Sequence, residues 1–118
     1  LQGYNLLTKE IVLVHNANEH IGSRNYTQKL LRMGMLPGLF DYTAYAPLGL
    51  TEFIEFKRNE KRKLTDTQAA FKERMELLGF RCHLVWDVDQ GVEILKAQAS
   101  RLEAYKTKLG ITDGKYFL

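Results

Sequence analysis

Asp41, Glu55 and Lys57 are the side chains whose types and spacing suit metal-assisted hydrolysis. Two carboxylates brought to one point repel each other unless something compensates them, and a divalent cation does so. Mg²⁺ takes hard oxygen ligands in an octahedral shell and is held by one or two carboxylates, with water and substrate phosphate completing the shell. A lysine two residues beyond the second acid can hold a water or a phosphate oxygen beside that cation. The Asp…Glu-x-Lys set would then join activation of a nucleophile to charge stabilisation. Glu-x-Lys alone is a common pattern on the solvent face of a strand, so its meaning depends on what positions it.

The positioning element is expected to be a β-hairpin. Leu39 to Ala46 and Leu50 to Lys57 are strand-like, and Pro47-Leu48-Gly49 between them is a reversal. A hairpin centred near Leu48 sets Asp41 directly opposite Glu55. Side chains alternate along a strand, so Lys57 shares the face of Glu55, while Ile54 and Phe56 point the other way with Tyr42 and Ala44. One face is expected to be chemical and the other core. A slip of one residue would turn one acid away from the other, so the reading rests on the turn.

Around the hairpin, residues 1–10 read as the remnant of a helix, and Ile11 to His15 as a short buried strand. Ser23 caps a helix carrying Tyr26, Leu30, Leu31 and Met33, which Gly34 ends. Thr65-Asp-Thr-Gln68 has the form of a capping box, and Phe71, Met75 and Leu78 continue at helical spacing to Gly79. Arg81 to Trp86 alternates as a strand, and Asp87-Val-Asp-Gln90 opens a final helix with Val92, Leu95 and Leu102 along it. Strand, helix, strand in that order is the shape of a crossover, which makes the flanking strands parallel. The expected class is therefore α/β with a mixed sheet, in one domain spanning residues 1–118.

Between Lys57 and Lys63 the chain reads Lys-Arg-Asn-Glu-Lys-Arg-Lys, five cations and one anion in seven positions. By itself such a run is a solvated loop. Taken in series, Gly38-Leu-Phe-Asp41, the hairpin, Ile54-Glu-Phe-Lys57, the basic loop, Leu64-Thr-Asp-Thr-Gln68 and Gly79 resemble the VRR-NUC branch of the PD-(D/E)XK nuclease superfamily. The similarity runs from about Asn18 to Leu95 and includes the order of the elements. It implies a restriction-endonuclease-like mixed sheet flanked by helices. Asp41 and Glu55 would be ligands to Mg²⁺ or Mn²⁺, the Phe56 carbonyl a third ligand, and Lys57 the residue that positions the attacking water. Gln68 matches a glutamine that opens the family's next helix close to the active site, and the capping box is its structural role. Phe40-Asp41 departs from the family's Pro-Asp, which leaves the ligand itself unchanged. The family also carries an acid on its first helix, upstream of a Leu-Gln pair like Leu1-Gln2. Within the chain, Glu10 and Glu19 are the acids that precede Asp41.

The resemblance implies a metal-dependent endodeoxyribonuclease, in stand-alone phage or bacterial form. Such proteins pair as homodimers and cut branched DNA such as four-way junctions. Arg58, Lys61, Arg62 and Lys63 would grip the flanking backbone. A sequence-specific restriction-type enzyme and a DNA-binding module without turnover are the alternatives. A net charge of +3 permits a polyanionic partner without demanding one. No apolar run is long enough to span a bilayer and no export signal is visible, and the single Cys82 fits a reducing compartment, so the expected location is the cytoplasm. His15, His20 and His83 lack zinc-site spacing. Cys82 and His83, adjacent on a strand, point to opposite faces, which argues against a nucleophile–base pair. Trp86 and the other aromatic residues are read as core and receive no role.

Overall fold

The computed structural model describes residues 10–16 and 38–110. They form an α/β fold with one mixed sheet of four strands: β1 (Val12–His15), β2 (Tyr42–Tyr45), β3 (Glu52–Phe56) and β4 (Arg81–Val85). Helix α1 (Asp66–Leu77) joins β3 to β4, and helix α2 (Val88–Leu109) follows β4. The strand order is β1-β2-β3-β4. The first two pairings are antiparallel and β3–β4 is parallel, as expected of strands joined through a helix. The expected helix at 23–33 and all but the last residue of the one at 1–10 lie outside the described residues, and so does Glu19; Glu10 itself stands in a bend before β1.

Alternation along the strands gives the sheet two packed faces. Ile54, Ala44, Leu13 and Val85 meet Leu95 of α2 on one side, with Tyr42 and Phe56 at the margin. On the other side Phe40, Phe71 of α1 and Cys82 form a second cluster, with Phe53 and Met75 against it. The expected division into a chemical face and a core face therefore needs correction, because the acids share their face with an aromatic core. Phe71 stands in tilted or edge contact with both Phe40 and Phe53, at centroid distances of 5.4 and 5.2 Å. A second correction concerns β1. Leu13 is buried in it, but Val12 and Val14 are exposed, as befits the outer face of a strand at the sheet edge.

Polar groups pin the α2 side. Glu52 is buried and accepts from Arg101 of α2 and from His83, the latter at 2.6 Å. A buried carboxylate of this kind is tolerable because each oxygen has a charged or polar partner. Gln98, also fully buried, donates to the carbonyls of Ala44 at 2.9 Å and Leu50 at 2.8 Å, so α2 ties the two arms of the hairpin together.

The hairpin turn decides the register. Leu50 N–H donates to the Pro47 carbonyl at 3.2 Å, with Leu48 at φ 60° and Gly49 at φ 74°, the two positive values of a type I′ turn. Such a turn alone would pair Pro47 with Leu50 and carry Asp41 opposite Phe56. Instead Ala44 pairs with Glu52, so Tyr45 and Ala46 together oppose Thr51 as a bulge. The Thr51 hydroxyl bonds the N–H and the carbonyl of Ala46, at 3.1 and 3.3 Å, and holds the bulge in place.

Candidate metal and water site

Tyr42 pairs with Ile54, and one step further out Asp41 lies opposite Glu55. The two residues interlock: Asp41 N–H donates to Glu55 Oε1 at 3.0 Å, and Asp41 Oδ2 accepts from Phe56 N–H at 3.0 Å. Asp41 directly follows the fully buried Phe40, whose ring anchors the acid to the core. Asn16 fastens the other side, donating its backbone N–H to the Asp41 carbonyl at 2.7 Å.

Lys57 continues the β3 row on the face of Glu55, and its backbone N–H extends the ladder by donating to the Val85 carbonyl at 2.8 Å. Its ammonium lies 3.4 Å from Glu55 Oε2 and donates to Gln68 Oε1 at 2.9 Å. Gln68 completes the ring by donating to Glu55 Oε2 at 3.0 Å. The same Gln68 Oε1 accepts from Thr65 N–H at 3.0 Å, which makes it the N3 residue of the capping box of α1. Cap and site are thus one side chain. Gly38 brings the chain to this point: it holds φ +80°, and a Cβ there would stand 2.2 Å from the Thr67 carbonyl oxygen.

Asp41, Glu55, Lys57 and Gln68 are therefore together, and sequence reasoning had named all four. Asn16 was not among the residues it named. The signal available was its position directly after a strand that pairs with β2, where a side-chain donor can reach carbonyls across the ladder.

Burial first, and then the negative charge of Asp41, push the Glu55 carboxyl above its ordinary range, while the Asp41 N–H and Lys57 pull the other way. A cation at the acids would relieve both upward influences. Asp41 Oδ1 accepts no hydrogen bond among the described residues, which leaves it available as a ligand. In an extended strand a residue's N–H and carbonyl lie on the same edge, so the Phe56 carbonyl is directed toward the edge at which its N–H meets Asp41. This donor set of hard oxygens fits Mg²⁺ or Mn²⁺. Among the described residues no group of three or more His, Cys, Asp and Glu side chains stands close enough to hold a metal. Glu10 in particular pairs with Lys106 of α2 at 2.9 Å.

Comparison with models of known families, with curated proteins and with solved structures gives no match. The site therefore speaks through its own chemistry.

Beyond Lys57 the basic loop turns on Asn59, whose Oδ1 accepts from Lys61 N–H at 2.9 Å and whose carbonyl accepts from Arg62 N–H at 3.1 Å. Arg58, Lys61, Arg62 and Lys63 are exposed, and none forms an ion pair among the described residues. No helix among the described residues is long and apolar enough to cross a membrane. Cys82 is buried, with its thiol pushed up to about 11 by that burial, and so is protonated and inert at neutral pH.

Proposed function

We propose that the chain is a Mg²⁺- or Mn²⁺-dependent endodeoxyribonuclease that hydrolyses phosphodiester bonds in branched DNA such as four-way junctions. The observation that carries the reading is the convergence of two interlocked carboxylates, a lysine and a glutamine at one end of β3, beside a run of exposed cations. Asp41, Glu55 and the Phe56 carbonyl would hold the cation. When bound, it would polarise the scissile phosphate and lower the pKa of an attacking water. Lys57, fixed between Glu55 and Gln68, orients that water and offers a positive charge to the phosphate oxygens. Arg58, Lys61, Arg62 and Lys63 hold the flanking backbone and set its position without reading sequence. The resemblance to the VRR-NUC branch supports this reading, and it alone supplies the homodimer and the preference for branches. A location in the cytoplasm accords with the single buried thiol.

A second reading, a DNA-binding module without turnover, is favoured by the finding that just two acids meet at the site among the described residues. One experiment separates the two. Labelled four-way junction and linear duplex are incubated with Mg²⁺ or Mn²⁺ and with wild type, Glu55→Ala or Lys57→Ala protein. The nuclease reading expects cutting that disappears in both variants and with chelator, and a junction cut in preference to duplex. Cutting of linear duplex at one recurrent sequence points to a restriction-type enzyme. Binding with no metal-dependent cutting overturns the enzymatic reading in favour of the module.

A further inference from the structure

Trp86 is the one tryptophan in the chain, and it is 42 % exposed, whereas the aromatic residues Phe40 and Phe71 on the same side of the sheet are buried. Its place follows from the parallel ladder. Glu55 pairs with Leu84 and Phe56 with Val85, and the bond from Lys57 N–H to the Val85 carbonyl carries the pairing one step further, to Lys57 and Trp86. Partners in a parallel ladder share a face, so Cys82 and Leu84 form the row beside Phe53 and Glu55, and Trp86, in the bend that directly follows β4, comes level with Lys57. The Trp86 backbone thus stands one strand spacing, about 4.8 Å across the ladder, from that of the lysine of the candidate site.

This position is also fixed. Trp86 N–H donates to Gln90 Oε1 at 2.8 Å, and Gln90 N–H donates to Asp87 Oδ1 at 2.8 Å in the N-cap of α2. The backbone that carries the exposed indole is thus held at the strand–helix junction.

We propose that Trp86 is a stacking platform for an unpaired nucleobase next to the scissile phosphate, so that the site selects DNA with a single-stranded nucleotide at the point of cutting. The inference rests on the nuclease reading above and extends it to the substrate. Bases inside a duplex are covered on both faces by their neighbours and offer no surface to an indole. A base at a branch, flap or gap does. Stacking of one base on an aromatic ring is tolerant of sequence, which accords with a site that reads structure.

The test uses the whole chain in chelator, so that nothing is cut. Trp86 emission is followed while the protein is titrated with a blunt duplex or with the same duplex carrying a single-stranded arm, and binding is measured in parallel by anisotropy of end-labelled copies. Armed DNA is expected to quench the emission. Trp86→Ala is expected to weaken armed DNA by roughly 5- to 150-fold, with the blunt duplex held within about twofold, and Trp86→Phe to restore most of the difference. Emission that stays unquenched when armed DNA saturates the protein overturns the platform, as does an equal loss on both DNAs. Metal-dependent cutting, read separately on the same preparation against Glu55→Ala, keeps the two ideas apart. Cutting without quenching sinks the platform alone, quenching without cutting sinks the nuclease and with it the link to a scissile phosphate, leaving Trp86 as the base platform of a binding module, and no binding to either DNA sinks both.

Discussion

Asn16 holds the turn that carries Asp41 through three bonds, of which the shortest joins its backbone N–H to the Asp41 carbonyl at 2.7 Å. Its side-chain amide donates to the Phe40 carbonyl and to the Thr43 hydroxyl, each at 2.8 Å. Asp41 is thereby gripped from β1 on one side and from β3 on the other. Asn16→Ala keeps the backbone bond and removes both side-chain bonds, leaving the Phe40 carbonyl and the buried Thr43 hydroxyl without those donors. The expected cost is about 1–3 kcal/mol, read as a lower midpoint in urea with an unchanged slope. Mg²⁺ affinity is expected to fall as well, because the acid it would meet is less well held. An unchanged urea midpoint would show that the clamp contributes nothing.

Glu55 gives the metal-free protein a pH dependence with a definite sign. Its carboxyl is raised above the ordinary range by burial and by Asp41, so the folded state holds the proton more tightly than the unfolded chain does. That contribution to stability is fully present below the unfolded carboxylate pKa and is lost as pH rises through the folded value. Glu55→Gln removes the ionisation and is therefore expected to gain thermal stability relative to wild type as pH is raised from 4 to 7 in chelator. Mg²⁺ is expected to reverse the order: at a hundredfold excess over the dissociation constant it would stabilise wild type by about 2.7 kcal/mol, read as a higher melting temperature, and leave Glu55→Gln unmoved. A melting temperature of wild type indifferent to Mg²⁺ would argue against a cation at these acids.

Much of this arrangement is legible in the sequence. Thr65 and Gln68 announce the start of α1, and the strands flanking that helix pair in parallel as a crossover requires. The opposition of Asp41 and Glu55 also follows from a hairpin centred near Leu48, yet the physical reason was hidden. The tight turn at Leu48–Gly49 favours the other register, and the bulge at Tyr45–Ala46 restores this one. Bulges depend on hydrogen bonds across the ladder, which no local pattern encodes. Trp86 was obscured for a related reason: a strand aromatic is usually core, and its exposure depends on where the sheet ends. Val12 and Val14 mislead in the opposite way, since β-branched residues suit a strand whether its outer face is covered or open.

Thr51 tests the bulge directly. Its hydroxyl bonds both the Ala46 N–H and the Ala46 carbonyl, and valine keeps its shape while removing both bonds. Thr51→Val is expected to cost about 1–2 kcal/mol and to let the turn compete for the register that sets Asp41 opposite Phe56. Amide exchange in β2 and β3 should quicken while α1 keeps its protection. If exchange in the hairpin matches wild type, Gln98 alone fixes the register through Ala44 and Leu50.

Gln68 allows cap and site to be pulled apart, because its two amide atoms face different partners. Oε1 accepts from Thr65 N–H and from Lys57, whereas Nε2 donates to Glu55 Oε2. Glutamate at this position keeps an acceptor for the cap and for Lys57, and glutamate is itself a standard capping-box residue. It cannot donate to Glu55, and it adds a third negative charge beside the two acids. Gln68→Glu is therefore expected to preserve the helix cap but push the Glu55 carboxyl further up. On the proposed nuclease reading, cutting should fall at neutral pH by a factor of about 10² or more, on the order of a lost positioning group. Gln68→Ala loses the cap as well, at about 0.5–2 kcal/mol of stability. The decisive comparison is the pH profile of cutting: a shift to higher pH in Gln68→Glu with α1 intact by circular dichroism places Gln68 in the chemistry. A profile matching wild type would leave it as a cap alone.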